Sequence, residues 1–391
     1  MNCRRFFSAF LITMLLSACG TGSPQEPSGQ PGKEDTSDMP VIDNVSLKMN
    51  PYFGSTDIQI DYSDLEEKGF AFGDCIKLTF SNGVVLDDLP YHNGYYVKPN
   101  SPVAVYYPGL YGLNVAYNLG DESWTKLGLS ENDTVTIQLK KKGQFLNEQQ
   151  TFAQTHSDDL KDYDSPEIFA NFRSLSGGKI RPGLVYRSAS MTNNSMNRAT
   201  VVDDLAEQYK IKTVVDFSDN EESVAEFRAM DTWDSDYFDK LYEKGSVDVV
   251  GLGVNPASDE FHTGLSEAMY RMLGKEEPYL FFCTEGKDRT GYAATLLEAL
   301  CGASYDELLA DYMKTYECYY GMTQETAPDQ CRAAIETSFD PIVRIMFEVQ
   351  DNEDLKTVDY AERARLFLKK GGLTDAQIDE MIQKLTGSSA S

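Results

Sequence analysis

One stretch in the C-terminal half constrains the fold of this chain more than any other. An apolar run, Tyr279–Phe282, leads into a short glycine-containing loop, and a helical pattern follows at once. A second strand candidate, Thr-Val-Val-Asp-Phe, covers residues 213–217. Strands that alternate with helices predict an α/β domain with a central sheet flanked by helices. The segments with helix-like periodicity are 290–301, 304–317, 326–350, 358–369 and 374–385.

The loop after the apolar run carries a cysteine and an arginine six positions apart, Cys283 and Arg289. A loop that curls at a helix N-terminus turns backbone N–H groups inward and binds an anion. Arg289 can grip two oxygens of a phosphate group, and the same positive field favours a thiolate at Cys283. The pattern therefore predicts a phosphate-binding loop with a cysteine nucleophile, and we expect the Thr290 hydroxyl to donate a hydrogen bond to the sulfur. The expected phosphate-binding residues are Thr284, Glu285, Gly286, Lys287, Asp288, Arg289 and Thr290.

The run Cys-Thr-Glu-Gly-Lys-Asp-Arg-Thr-Gly at residues 283–291 resembles the signature of the atypical bacterial tyrosine phosphatase family. Ordinary tyrosine phosphatases lack the Lys-Asp pair before the arginine. The resemblance implies a phosphotyrosine-phosphatase-like α/β domain, in a family whose members act on phosphotyrosine and in several cases on phosphoinositides. It covers about residues 165–386, because further motifs resemble the family at 171–178, 180–188, 211–216 and 372–375.

The resemblance also implies which residue acts as the acid. Asp216, at the end of the strand candidate, matches the family's general acid, and Asp219 is the alternative. Such a group protonates the leaving oxygen and then activates water. This chemistry requires no cofactor, and none is predicted. A metal is not predicted either, because the three histidines are scattered without metal-ligand spacing.

The chain departs from the family pattern in three places. Phe282 stands where the family usually has the histidine that tunes the thiolate, and Ser218 replaces an arginine after the acid. Residues 173–176 read Arg-Ser-Leu-Ser instead of Arg-Asp-Leu-Gly. These changes bear on rate and substrate choice more than on reaction class. A phosphate-recognition module with little turnover is therefore the alternative to an enzyme.

The first residues are typical of an exported lipoprotein. Arg4 and Arg5 precede an apolar run, Phe6–Leu16, that is too short to span a membrane. Leu-Ser-Ala-Cys-Gly at residues 16–20 resembles the bacterial lipobox, which implies a lipid on Cys19 and removal of the peptide before it. An ordinary signal peptide with a chance cysteine is the alternative. We therefore expect an extracytoplasmic protein anchored by its lipid to the bacterial cell membrane.

Composition divides the rest of the chain. Residues 1–19 are the expected signal peptide and lipobox, and residues 20–40, rich in Gly, Pro and Ser, predict a flexible tether. Residues 41–155 contain alternating runs at 57–62, 75–80 and 133–139, which predict a small all-β domain, a sandwich or a barrel. The phosphatase domain is then expected at 156–391. The tyrosines at 91, 95, 96, 106, 107, 111 and 117 either pack in half-buried strands or line a binding face.

A net charge of −27 argues against nucleic acid as a partner, because the phosphates would repel such a chain. The expected substrates are a phosphotyrosine protein first, and a phosphoinositide or an inositol polyphosphate as alternatives. Five of the seven cysteines lie after Cys19, so at least one is unpaired, and we expect it to be Cys283. Cys318 and Cys331 are near enough in sequence to pair.

Overall fold

The computed structural model describes residues 39–50, 53–107, 112–153 and 155–387. Cys19, the lipobox and the tether up to residue 38 lie outside these ranges, as does Tyr111. Among the described residues, no helix combines the length and the apolar character needed to cross a bilayer. The five described cysteines are all buried and none of them forms a disulfide, so Cys318 and Cys331 are not paired.

The β-rich segment folds into a closed barrel with the strand order β1-β2-β6-β5-β4-β3-β7. Neighbouring strands are antiparallel except for β4 and β5, which run parallel. Alternate side chains, such as Leu78, Leu113 and Ile137, fill the barrel interior. The strands are β1 (Val41–Met49), β2 (Thr56–Ile58), β3 (Cys75–Phe80), β4 (Val85–His92), β5 (Pro102–Val105), β6 (Leu113–Tyr117) and β7 (Thr134–Lys141).

The barrel segment is β-rich, but it also contains helices, so the expectation of an all-β domain is met only in part. Three short helices lie among its strands: α1 (Tyr62–Glu67), α2 (Ser123–Lys126) and α3 (Leu146–Phe152). The alternating run at 57–62 is strand only as far as Ile58, and Tyr62 already begins α1. The tyrosine set divides, since Tyr91 and Tyr106 belong to the barrel core and Tyr95 is exposed.

The second part of the chain has a five-stranded sheet in the order β11-β10-β12-β9-β8, flanked by helices as expected. All its strands are parallel except β8, which pairs antiparallel with β9. The strands are β8 (Arg173–Ser174), β9 (Val185–Ser188), β10 (Thr213–Asp216), β11 (Val247–Val249) and β12 (Tyr279–Phe282). The helices are α4 (Pro166–Phe169), α5 (Ala199–Gln208), α6 (Glu221–Arg228), α7 (Asp236–Glu243), α8 (Asp259–Leu273), α9 (Asp288–Leu300), α10 (Tyr305–Tyr320), α11 (Pro328–Ala334), α12 (Asp340–Met346), α13 (Tyr360–Lys370) and α14 (Asp375–Thr386).

The predicted helix over 326–350 is shorter and is interrupted by a π-helix. A π-helical turn, Ile335–Phe339, joins α11 to α12. Pro341 stands in the first turn of α12 and lacks the N–H that an α-helix would use there. Its ring would also clash with the carbonyl of the residue four positions earlier, and a locally wider turn relieves that clash.

Both faces of the sheet are covered, which explains why its central strand is apolar throughout. Every residue of β12 is buried. Tyr279 and Phe281 belong to one hydrophobic core, whereas Leu280 and Phe282 belong to the core on the other face. Cys283 continues the alternation and lies with the first core. A parallel strand buried on two faces ends at the edge where α/β folds bind their ligands.

The barrel packs directly against the sheet-and-helix part of the chain. Helix α3 packs on α11, and Gln330 Nε2 donates a hydrogen bond to the Ala153 carbonyl at 3.4 Å. Leu119, in the turn after β6, packs against the larger hydrophobic core. These contacts join the barrel to the sheet-and-helix part of the chain.

Candidate active site

The loop between β12 and α9 bends tightly at a glycine. Gly286 has φ of +70°, a conformation that side chains with a Cβ rarely adopt. A Cβ at this position would also lie 2.2 Å from the Ser188 carbonyl oxygen. Glycine is therefore required here both by the backbone conformation and by the close approach of the loop to β9.

Two buried side chains hold the loop carbonyls from behind. Asn171 Nδ2 donates to the carbonyl oxygens of Glu285, at 3.3 Å, and Gly286, at 3.2 Å. Arg187 Nη2 donates to the Gly286 carbonyl at 2.7 Å. The C=O and N–H of a trans peptide point in opposite directions, so this arrangement turns the Lys287 N–H to the concave side. The unpaired N–H groups in the first turn of α9 add to the same anion-binding surface.

The donors behind the loop are fixed by a buried ion-pair network. The Asp311 carboxylate pairs with Arg187 and, at 2.8 Å, with Arg173 Nε. Arg173 Nη1 also donates to Asn171 Oδ1 at 2.5 Å. Burial opposes ionisation of Asp311, but the two guanidinium groups outweigh it and lower its pKa to about 2. The network is thus fully charged at neutral pH and sets the position of the Gly286 carbonyl.

The guanidinium of Arg289 is fixed along one edge and unpartnered at Nε. Nη1 donates to the carbonyls of Leu252, at 3.2 Å, and Phe217, at 3.5 Å. Nη2 makes only a long contact of 3.5 Å with Thr284 Oγ1. Nε is buried and has no hydrogen-bond partner among the described residues. A buried donor without a partner is costly, and a bound anion would satisfy it.

Cys283 lies in the same loop and is only 3% exposed. The expected hydrogen bond from Thr290 is wrong, because its buried Oγ1 has no partner among the described residues. Phe282 packs in the hydrophobic core on the other face of the sheet from Cys283. Arg289 and the N–H groups of the loop are the donors that belong to the same loop as the sulfur.

Lys287 is already engaged by a neighbour in the loop. Its Nζ lies 3.1 Å from Glu285 Oε2 and donates to the Tyr320 hydroxyl at 3.3 Å, and that hydroxyl donates to the same carboxylate. Burial opposes the charge of Lys287, yet the charges of Glu285, Tyr320, Asp288 and Tyr316 together outweigh it and raise the pKa of Lys287 well above its ordinary value. Burial and the Glu285 charge together raise the pKa of Asp288. The Lys287 charge is largely neutralised within the loop.

Asp216 lies beside the loop and is completely buried. It pairs with Phe282 across the β10–β12 ladder, one residue before Cys283. Its Oδ1 accepts the N–H groups of Ser218, at 2.9 Å, and Asp219, at 3.1 Å, while Oδ2 is buried without a partner among the described residues. Burial first, and then the Asp219 charge, raise the pKa of Asp216 well above its ordinary value.

Asp219, the alternative acid, is held by a different neighbour. It is 7% exposed, and its Oδ2 accepts a hydrogen bond from Thr192 Oγ1 at 2.5 Å. The structure thus brings both carboxyl groups to the end of β10, next to the loop. Among the described residues, no group of three or more His, Cys, Asp or Glu side chains could hold a metal ion.

One aromatic residue of the barrel lies at the same loop. The ring of Phe53 lies 5.9 Å from Arg289 Cζ. Sequence reasoning gave this residue no role, because no local pattern relates residue 53 to a loop that begins at residue 283.

Sequence reasoning also missed the residues behind the loop. Asn171 and Arg187 stand inside segments that resemble family motifs, yet no local pattern indicates a role for either side chain. No sequence pattern pointed to Asp311 or Thr192 as site residues. Their roles depend on which strands become neighbours in the sheet.

A comparison with protein families matches the model described as the tyrosine phosphatase family to residues 167–387, more than half of the chain. The chain belongs to this family. A Cupriavidus necator protein named as a tyrosine-protein phosphatase is 56% identical over 36 residues, which are 9% of this chain and 13% of that relative. The core catalytic domain of the PP-IP phosphatase SIW14 from S. cerevisiae, solved in complex with citrate, is 20% identical. That match covers 45% of this chain and 90% of that one, with a TM-score of 0.27.

Proposed function

We propose that this tyrosine phosphatase family member is a phosphomonoester hydrolase that acts through a phosphocysteine intermediate. The observation that carries the proposal is the guanidinium of Arg289. Two carbonyls fix one edge of it, while its buried Nε has no partner among the described residues. A phosphate oxygen at Nε would satisfy this donor, and the N–H groups of the loop would hold the remaining oxygens.

In the first step, the Cys283 thiolate attacks phosphorus and forms a sulfur–phosphorus bond. The ester bond breaks, and its electron pair leaves with the oxygen, which takes the proton of Asp216. Burial, and then the Asp219 charge, raise the pKa of Asp216 and favour its protonated form, as a general acid requires. In the second step, water attacks the phosphocysteine and gives a proton back to Asp216. The sulfur–phosphorus bond then breaks, which releases phosphate and restores the thiolate.

The charges around the loop favour a substrate with a single phosphate group. Arg289 is the loop cation that no carboxylate neutralises among the described residues, since Lys287 is paired with Glu285. A phosphotyrosine side chain meets this requirement. An inositol polyphosphate would bring several further phosphate groups towards a chain with a net charge of −27. We therefore place phosphotyrosine proteins before inositol phosphates and phosphoinositides as substrates.

The location of the enzyme is proposed from the sequence alone. The lipobox-like run at residues 16–20 supports a lipid on Cys19 and an extracytoplasmic protein at the bacterial cell membrane. A lipid anchor would place the enzyme near phosphoproteins of the cell envelope or of the surrounding medium.

The test is a turnover assay with the full chain and four phosphoesters: a phosphotyrosine peptide, a matched phosphoserine peptide, a phosphoinositide and inositol hexakisphosphate. Phosphate release from the phosphotyrosine peptide is expected, and trapping with acid should give a protein carrying phosphate on Cys283. A protein that binds these esters but releases no phosphate from any of them would be the recognition module instead. Turnover without a phosphorylated cysteine would contradict the mechanism alone.

A further inference from the structure

We propose that the barrel forms one wall of the substrate-binding site, with Phe53 as a specificity-determining residue for the aromatic ring of the substrate. The inference rests on the proposed function, because it assigns a binding role at the same phosphate loop. It gives the barrel a direct part in substrate choice. The ring of a phosphotyrosine side chain would pack against Phe53 while its phosphate group occupies the loop.

Phe53 is held in place by the turn between β1 and β2. Its backbone N–H donates to Asn50 Oδ1 at 3.2 Å, and the N–H of Gly54 donates to the Asn50 carbonyl at 2.9 Å. The Gly54 carbonyl in turn accepts the N–H of Trp124 at the start of α2. A turn closed from both sides presents the Phe53 ring from a defined backbone position. Such preorganisation reduces the entropy lost when a ligand binds.

The Phe53 ring faces the group that would hold the phosphate. Its centroid lies 5.9 Å from Arg289 Cζ, within the range of a cation–π contact. The organic group of the substrate is attached to the phosphate through the ester oxygen. In the proposed complex this group lies beside Phe53, where an aromatic ring makes a more favourable contact than an alkyl chain does.

Tyr320 extends the aromatic surface over the neighbouring ion pair. Lys287 Nζ lies 5.6 Å from the ring centroid of Tyr320 and pairs with Glu285. This part of the loop is thus aromatic and close to neutral in charge. A flat, uncharged leaving group fits such a surface, whereas additional phosphate groups would find no free cation on these residues.

The test compares wild-type full-length protein with Phe53→Ala on two peptides of one sequence, phosphorylated on tyrosine or on serine. The wild-type protein should prefer the phosphotyrosine peptide. Phe53→Ala should lose roughly 3- to 30-fold in kcat/KM on that peptide, mainly through KM, and little on the phosphoserine peptide. Phe53→Leu keeps an apolar side chain in case the alanine variant does not fold, and should show a smaller loss. Phe53→Tyr keeps an aromatic ring and should retain the preference.

Two controls separate ring recognition from indirect effects. Tyr62→Ala removes an aromatic ring of the same barrel that packs on Phe72 and Tyr106, and it should leave the preference between the peptides unchanged. Inhibition by inorganic phosphate, which has no ring, should change little in Phe53→Ala. If phosphate inhibition weakened as much as peptide hydrolysis, Phe53 would act only through Arg289, and the proposal would be wrong.

If the wild-type protein hydrolyses the peptides and the Phe53 variants keep the same preference for phosphotyrosine, the role of Phe53 is wrong and the proposed function stands. The same holds if the wild-type protein shows no preference for the phosphotyrosine peptide. A wild-type protein that hydrolyses no phosphoester would overturn both proposals.

Discussion

The Asp216 carboxyl group accepts the backbone N–H of Asp219 at 3.1 Å, and the charge of Asp219 helps to raise the pKa of Asp216. Asp216 thus helps to shape the turn that contains Asp219, and the charge of Asp219 in turn acts on the Asp216 carboxyl group. Burial and this charge both favour the protonated form of Asp216. In the proposed reaction, the proton of Asp216 is the one given to the leaving oxygen.

Replacing Asp216 by asparagine should slow turnover by roughly 10²–10⁴-fold, the usual range for a lost acid–base group. The loss should be small for aryl phosphates with good leaving groups and larger for alkyl phosphates, which need the proton more. The wild-type kcat should fall as pH rises through the raised pKa of Asp216, and Asp216→Asn should lack that fall. Steady-state kinetics over a series of leaving groups and pH values checks this.

Asp219→Asn is the matched variant, since it removes the neighbouring carboxylate and keeps Asp216. It should lower the pKa at which kcat falls, because the Asp219 charge is one of the causes of the raised pKa. If Asp219→Asn alone showed the leaving-group dependence, the roles of the two residues would be exchanged. An equal loss on every ester in Asp216→Asn would mean that Asp216 only shapes the turn.

Cys283→Ser should abolish turnover and leave binding of a phosphotyrosine peptide largely intact, because Arg289 and the loop N–H groups survive the change. Arg289→Ala should weaken both binding and turnover, since it removes the phosphate clamp and a charge that stabilises the transition state. Calorimetric binding and phosphate release measure the two effects separately. Normal turnover by Cys283→Ser would rule out a cysteine-dependent phosphatase.

Arg187→Lys should lower turnover and weaken inhibition by inorganic phosphate, although Arg187 does not contact the proposed substrate. A lysine can keep the ion pair with Asp311, but it lacks the planar fork that also reaches the Gly286 carbonyl. We expect roughly a 10-fold loss in kcat/KM. Arg181→Lys, at a half-exposed ion pair with Glu277, is the control and should change neither quantity. Unchanged phosphate inhibition in Arg187→Lys would mean that the network does not position the loop.

Local patterns predicted a large part of this fold and of its site. The strand candidates at 213–217 and 279–282 correspond to β10 and β12, because strands buried on both faces are rich in apolar residues. The Cys283 loop was found because its residues are contiguous. The roles of Asn171, Arg187 and Asp311 depend on three separate segments meeting behind that loop, which no local pattern encodes. The barrel contact of Phe53 depends on how two parts of the chain pack together.

Cys19→Ser tests the proposed anchor, which lies outside the described residues. The variant should move from the membrane fraction to the soluble fraction, because the acyl chains would have no attachment point. Mass spectrometry of the wild-type N-terminus should find a lipid on Cys19. A variant that stays with the membrane is informative only if its signal peptide has been removed, so the N-terminus of the variant must be sequenced as well. Wild-type protein without a lipid on Cys19 would contradict the proposal.

Glu298 is a buried carboxyl group that the proposed reaction does not use. It is 1% exposed, and its Oε1 accepts the Gly177 N–H at 2.9 Å, while Oε2 has no partner among the described residues. Burial first, and then the charge of Asp311, raise the pKa of Glu298 from 4.5 to about 8. The folded protein therefore holds this proton at neutral pH, whereas the unfolded chain releases it.

This difference predicts how stability depends on pH. Below pH 4.5 both states carry the proton, and as pH rises to about 8 the unfolded state alone loses it, so stability falls through that window. The slope reaches about 1.36 kcal/mol per pH unit for one proton. Glu298→Gln keeps the acceptor for Gly177 and never ionises, so its melting temperature should increasingly exceed that of the wild type up to about pH 8. Glu307→Gln is the control. Because the pKa of Glu307 is lowered, its ionisation changes the stability only at acidic pH. Parallel melting curves for Glu298→Gln and wild type across the whole window would show that Glu298 is ionised in the folded protein.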